Sequence, residues 1–171
     1  MHGVVIASYL VRMKGHGKIG RVLLLTGLIA LVSLPALARD PESVLLERIN
    51  VVRLQNGLSP LGYAGDRVRE VARAYSERML EEDFFAHQDD HGATAGDRLS
   101  MSGIDWRMVG ENLLEDVGAP NADAVVDDAV TAWLESPGHR ANILNAKYTE
   151  TAVGLATRGG RTYLTQLFLA P

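Results

Sequence analysis

Histidines and one acid are the side chains of residues 39–171 whose types and positions could carry chemistry. His87, His91 and His139 each lie beside a turn-forming stretch rather than within a long apolar face. Glu111 follows a glycine and precedes Asn112 and two leucines, so apolar residues flank this acid on its C-terminal side. Two imidazoles and a carboxylate are enough for a small polar site, whose chemistry depends on how they are arranged.

The residue types leave three functional interpretations open. His87, Glu111 and His139 form a ligand set that catalytic zinc uses with one coordination position open. The same side chains could orient a bound molecule through hydrogen bonds. They could also exchange protons, with Glu111 fixing the tautomer of one imidazole. Structural uses compete with each of these: Glu111 satisfying turn donors, His139 capping a short helix, and His87 lying on the surface.

Several catalytic classes are excluded by features that the sequence lacks. The chain has no cysteine, which excludes cysteine nucleophiles, thiolate metal sites and a disulfide scaffold. Residues 39–171 contain no GxSxG elbow, no glycine-rich phosphate loop and no HExxH zinc motif. Nothing marks Ser136 as an activated nucleophile, so the sequence does not compel an enzyme.

The first 38 residues have the composition of a secretory signal peptide. Four basic residues and no acid occur there, an apolar run spans residues 22–34, and Ala36-Leu37-Ala38 fits a signal peptidase site. We expect cleavage before Arg39, hence a secreted or periplasmic protein with no membrane span afterwards. An uncleaved anchor is the alternative, and Met13 offers a second translation start.

Residues 39–171 are acidic and predict one α+β domain. They carry 13 basic and 21 acidic residues, which makes a nucleic-acid partner a poor fit. Helical periodicity predicts helices starting near Asp40, Asp66, Thr94 and Asn121, with a short one after Ser136. Strand-like runs at residues 152–157 and 162–169 flank Gly159-Gly160, which predicts a C-terminal antiparallel hairpin. One surface pair, Arg73 and Glu77, is expected on the second helix.

Five short strings give the chain a resemblance to a known family. They are FFAH at residues 84–87, GENLL at 110–114, W-x-x-SPGHRANIL at 133–144, AVGLA at 152–156 and YLTQLF at 163–168. In this order they resemble the CAP superfamily, also called the SCP or pathogenesis-related-1 fold, in its short bacterial branch. The resemblance implies a three-layer α–β–α sandwich, secreted, with a central cleft lined by two histidines and one or two acids. It places His87, Glu111 and His139 in that cleft.

The fourth cleft position depends on Glu135. Many eukaryotic members carry an acid three residues after the tryptophan, where this chain has Ser136, and the acid here stands only two residues after Trp133. Two steps along a helix turn a side chain by about 200°. Glu135 is therefore expected to reach the cleft only if the helix unwinds before Pro137.

The resemblance implies a binding or accessory module rather than a defined enzyme. Its expected ligand is a small amphiphile, such as a lipid or sterol, or an envelope component. The alternative is a zinc-dependent hydrolase in which His87, Glu111 and His139 hold the metal and a bound water is the nucleophile. A third interpretation makes the polar cluster purely structural and places the function on a surface loop such as residues 114–120.

Overall fold

Five helices and four strands make up residues 39–170, the part of the chain that this computed structural model describes. The elements in chain order are α1 (Pro41–Gln55), β1 (Gly62–Tyr63), α2 (Asp66–Glu82), α3 (Ala95–Met101), β2 (Met108–Val117), α4 (Ala122–Glu135), α5 (Pro137–Ile143), β3 (Glu150–Arg158) and β4 (Arg161–Ala170). The predicted signal peptide lies outside the described residues. Within residues 39–170, every helix is too short or too polar to cross a bilayer.

The four strands form one sheet in the order β1-β3-β4-β2. β1 pairs with β3 in parallel, whereas β4 runs antiparallel to both of its neighbours. Gly159 and Gly160 make the β3–β4 turn with φ values of 60° and 79°, the left-handed region that glycine enters at little cost. The predicted C-terminal hairpin is confirmed.

Helices cover both faces of the sheet, which confirms the three-layer α–β–α arrangement. On one face, α2 and α3 pack against β3 and β4 through Val68, Ala72, Leu99, Ala152, Leu167 and Leu169. On the other face, α1, α4 and α5 enclose a larger core that contains Leu45, Ile49, Val126, Trp133, Ile143, Leu164 and Phe168. The predicted apolar stripes of the second and fourth helices supply these contacts.

Local capping explains where three helices begin. The side chain of Asp40 accepts a hydrogen bond from the backbone N–H of Ser43, and Asn121 does the same for Ala124. Thr94 and Asp97 form a reciprocal capping box at the start of α3. Because each cap satisfies a backbone donor that has no partner within the helix, these starts were predictable from sequence.

β2 was not predicted, and it is the strand that carries Glu111. Its ten residues pair along their whole length with β4, from Met108 opposite Ala170 to Val117 opposite Arg161. Gly110, Glu111 and Asn112 are poor strand formers, so pairing and burial override local preference here. Residues 114–117, expected to belong to a surface loop, are the end of this strand.

Two buried charged side chains tie α1 to distant parts of the chain. Arg53 is 1% exposed and donates hydrogen bonds to four backbone carbonyls, those of Ser59, Ile143, Asn145 and Tyr148. Glu42 forms a two-pronged ion pair with Arg73 of α2 and accepts a hydrogen bond from the backbone N–H of Leu155 in β3.

Candidate functional site

Glu111 is the buried centre of the candidate site. Its side chain points from β2 toward α3 and is only 5% exposed. Nδ1 of His87 lies 2.9 Å from its Oε1 atom, and Arg98 donates a charge-assisted hydrogen bond to its Oε2 atom. Both oxygens of the carboxylate are therefore engaged within the protein.

Contacts with Tyr75 and with the backbone of Ala93 fix the side chain of Arg98. Its guanidinium carbon lies 3.3 Å from the centroid of the Tyr75 ring, a close cation–π contact. Its Nη1 atom donates to the backbone carbonyl of Ala93, and the Tyr75 hydroxyl donates to that of Ala86. These bonds fix the loop between α2 and α3 and with it His87.

His139 approaches from the opposite face of the sheet. It lies in the first turn of α5, and its ring centroid is 6.4 Å from that of His87 and 6.5 Å from that of Trp133. The two imidazoles thus face each other across the outer edge of β2, because β2 is the last strand of the sheet.

Trp133 and two asparagines anchor the His139 side of the site on β2. The Trp133 indole N–H donates to the carbonyl of Leu113 at 2.8 Å. Asn142 donates to the carbonyl of Glu111 and to the side-chain oxygen of Asn112, while Asn112 donates to the carbonyl of His139. The GEN and SPGHRAN strings are thus joined by direct hydrogen bonds.

Gly110 allows this close packing. A Cβ atom at this position would lie 2.5 Å from the Tyr148 hydroxyl oxygen and 3.0 Å from the Asn142 side-chain oxygen. Any larger residue would push Tyr148 and Asn142 away from β2, and Asn142 is one of the contacts that seat α5.

The sequence-predicted residues are brought together in part. His87, Glu111 and His139 converge, although each comes from a different element. Glu135 does not join them: α4 remains helical through this residue, and its exposed side chain lies in a groove with Pro137 and Arg140. Sequence reasoning missed Arg98, because nothing near it in the chain signals a partner thirteen residues away in an unpredicted strand.

The two imidazoles have opposite electrostatic environments. The hydrogen bond that His87 donates to Glu111 raises the pKa of His87 above its ordinary value of 6.5, although partial burial and Arg98 oppose the rise. Burial lowers the pKa of His139, and the neighbouring His87 lowers it further. The Glu111 carboxylate accepts from Nδ1 of His87, which directs the other ring nitrogen, Nε2, away from the carboxylate.

We expect His87 to titrate at a higher pH than His139, and this order depends on Glu111. Glu111→Gln should lower the pKa of His87, whereas Glu135→Gln, the control on α4, should leave both values unchanged. Proton NMR of the imidazole C–H signals between pH 4 and 9 measures them. Equal effects of the two substitutions would contradict the placement of Glu111.

The same shifts determine how stability changes with pH. Because the pKa of His87 is raised in the folded state, its pairing with Glu111 stabilises the fold fully below pH 6.5. This stabilisation is lost as the pH rises through the folded-state pKa of His87. His139 has the opposite effect on stability. Because its pKa is lowered in the folded state, the fold loses stability as the pH falls below 6.5.

Residues 39–170 contain no group of three or more His, Asp or Glu side chains arranged to hold a metal ion. Each oxygen of the buried Glu111 carboxylate already accepts a hydrogen bond, from His87 and from Arg98, so the two imidazoles are the donors better placed for a metal. Glu111 would then act as the carboxylate that orients His87 rather than as a direct ligand.

A sequence model of the family described as "CAP: Cysteine-rich secretory protein family" matches residues 46–168. The match includes every residue of the site and runs from within α1 to Phe168 in β4.

Relatives of this chain occur in bacteria. The uncharacterised membrane protein YlbC of Bacillus subtilis is 35% identical over 129 residues, which are 75% of this chain and 34% of that protein. This chain thus spans about a third of that relative's length.

Two solved structures share the fold. An extracellular SCP-domain protein of Bacillus anthracis aligns with a TM-score of 0.63 and 27% identity, over 77% of this chain and 40% of that one. An outer surface protein of Borrelia burgdorferi aligns with a TM-score of 0.66 and 21% identity, over 77% and 92% of the two chains.

Proposed function

Because this chain belongs to the CAP family, the cysteine-rich secretory protein family, we propose that it is an extracytoplasmic binding module whose ligand contacts His87 and His139. Its ligand is a small amphiphile or a component of the cell envelope. The extracellular and outer-surface descriptions of two structural neighbours support this location, as does the signal-peptide pattern of residues 1–38.

The observation that carries this proposal is the full engagement of the Glu111 carboxylate. A general base must reach the proton that it removes, but the Glu111 side chain is only 5% exposed and each of its oxygens already accepts a hydrogen bond, from His87 and from Arg98. Glu111 instead works as a fixed acceptor that orients His87. The exposed part of His87 and the ring of His139 then offer hydrogen bonds to a polar group of the ligand.

A zinc site is the second candidate, supported by the carboxylate on Nδ1 of His87. Carboxylate–imidazole pairing is the usual support of a metal-binding histidine, and the His139 ring lies 6.4 Å from that of His87. Bound zinc would supply Lewis-acid activation of a water molecule. Titration calorimetry with zinc alone tests this: stoichiometric binding lost in His139→Ala would favour the metal, and no binding by the wild type would remove it.

We expect His139→Ala to lose the ligand while His91→Ala keeps it. Both substitutions remove one imidazole, but the His91 side chain is largely exposed and its Nε2 atom lies 3.7 Å from Oδ1 of Asp90. Native mass spectrometry after incubation with a lipid extract, and a pull-down with a purified envelope fraction, measure retention. At least a tenfold loss is expected for His139→Ala alone. Retention of neither fraction by the wild type, or equal retention by both variants, would overturn the proposal.

A further inference from the structure

The outer edge of β2 has main-chain groups that point away from the sheet. The backbone N–H of Gly118 bonds to the carbonyl of Gly160, which continues the β2–β4 register. In an antiparallel ladder, bonded pairs alternate with non-bonded ones, so the N–H and C=O groups of residues 111, 113, 115 and 117 point outward. The carbonyls of Glu111 and Leu113 confirm this direction, because Asn142 and Trp133 donate to them from outside the sheet.

Other side chains cover the outer edge of β2 at one end, and the edge is exposed at the other end, at Glu115–Val117, which we call the open end. Trp133 and Asn142 cover the part of β2 beside the histidines. Farther along, Glu115 is exposed and Val117 is 70% exposed, and no side chain or loop of residues 39–170 bonds to their outward main-chain groups. An exposed strand edge of this kind is a template for another extended chain.

Apolar side chains flank the open end. Phe85 is 48% exposed, and its ring lies 5.9 Å from that of Tyr163, which is directly opposite Glu115 in the sheet. Two residues farther on, His87 contacts Glu111. The loop containing Phe85 and His87 therefore runs alongside β2, with an apolar position level with Glu115 and the imidazole level with Glu111.

We propose that the ligand of this site is an extended peptide segment that pairs with β2 at Glu115–Val117 and whose end contacts the imidazoles of His87 and His139. This inference rests on the proposed function and names its ligand class. The four residue-to-residue steps from Glu111 to Glu115 span about 13 Å at about 3.3 Å per step, so a segment of four to five residues reaches from Phe85 to the imidazoles. Main-chain bonds would supply affinity, and Phe85 and Val117 would contact alternate side chains.

Charge favours a neutral or basic peptide over a fatty acid. Glu115 and Asp116 lie at the open edge, and Arg161, 3.4 Å from Glu115, is the cation that opposes them. A carboxylate-headed lipid would meet net negative charge there and would leave the outward N–H and C=O groups unpaired.

The test uses the full chain, labelled with ¹⁵N, and the blocked peptide acetyl-Thr-Val-Thr-Val-Lys-amide. We expect the peptide to shift the amide signals of Glu115 and Val117 and the ring signals of His87 and His139. Two analogues of the peptide carry N-methyl groups at alternate residues, one at the odd-numbered and the other at the even-numbered positions. Only one of these two sets of N–H groups would bond to β2, so we expect the analogue that lacks this set to bind at least tenfold more weakly than the other.

Val117→Pro and Val117→Ala form the matched pair of variants. The Val117 N–H points away from β4, so proline removes an outward donor without removing a ladder bond. We expect Val117→Pro to weaken peptide binding at least tenfold and Val117→Ala, which keeps the N–H, by about twofold. Equal binding by both analogues and both variants would overturn the inference, and the analogues decide the matter if Val117→Pro does not fold.

Other occupants give different signals. If palmitate instead of the peptide shifts the amide signals of Glu115 and Val117, the occupant is a lipid. If these signals shift with protein concentration in the absence of peptide, the occupant is a second copy of the chain. Either result overturns the inference. If the envelope fraction moves the histidine signals while the peptide leaves Glu115 and Val117 unmoved, the proposed function stands and the peptide inference falls. If the peptide moves Glu115 and Val117 but no ligand moves the histidines, the proposed function falls, and the inference that this peptide is the ligand of the site falls with it.

Discussion

Arg53→Met is expected to lower the free energy of unfolding by about 3 kcal/mol or more, because a buried acceptor left without a donor costs about 1–3 kcal/mol. Arg53 supplies donors to four backbone carbonyls, in the turn after α1 and in the segment between α5 and β3. Methionine preserves much of the aliphatic volume but none of the donors. The two segments that Arg53 joins would therefore separate or admit water.

Arg48→Met is the matched control in the same helix. Arg48 is exposed and pairs with exposed Asp127, a kind of ion pair that contributes at most about 1 kcal/mol. Urea denaturation followed by circular dichroism measures both variants. If Arg53→Met were no less stable than Arg48→Met, the four carbonyl bonds would not be what holds α1 in place.

Arg98→Met is expected to cost about 3–5 kcal/mol, the range seen when one partner of a buried ion pair is removed. The substitution leaves the buried carboxylate of Glu111 with His87 as its remaining ionic partner. It also removes a positive charge that lowers the pKa of His87, so that pKa should rise further. Chemical denaturation and NMR titration of His87 measure the two effects.

Two further variants separate charge from structure at this position. Arg98→Lys keeps the positive charge but not the planar guanidinium group with its paired N–H donors. Compared with Arg98→Met, it should bring the His87 pKa closer to its wild-type value than it brings the free energy of unfolding. Combining Arg98→Met with Glu111→Gln removes the unpaired charge and should recover part of the lost stability. Additive losses in the double variant would mean that Arg98 and Glu111 do not act as a pair.

Residues with local signals were predictable from sequence. Asp40, Thr94 and Asn121 cap helices through bonds to residues three positions away, and Gly159-Gly160 closes a hairpin between adjacent strands. Local signals of this kind are independent of the rest of the fold. Together with the apolar stripes, they were enough for the α+β class, and the motif order supplied the three layers.

Contacts between distant segments were not predictable in the same way. Arg73 was expected to pair with Glu77 one turn away, but it bonds Glu42 on α1, thirty-one positions earlier. The convergence of His87, Glu111 and His139 was expected from the motif strings, whereas Arg98 went unnoticed because its partner lies on β2. Glu135 lies apart from the site because α4 stays helical through it, and the helical turn then directs its side chain away from Trp133.

The ties made by Arg53 and Glu42 have a consequence for how this member of a cysteine-rich family matures. Many secreted domains depend on oxidative folding, in which an oxidant or isomerase must close covalent cross-links before the chain is stable. Here ion pairs and carbonyl bonds join the same kind of distant segments, and the chain has no thiol to oxidise. Folding of this chain therefore forms no disulfide bond and does not depend on thiol–disulfide exchange.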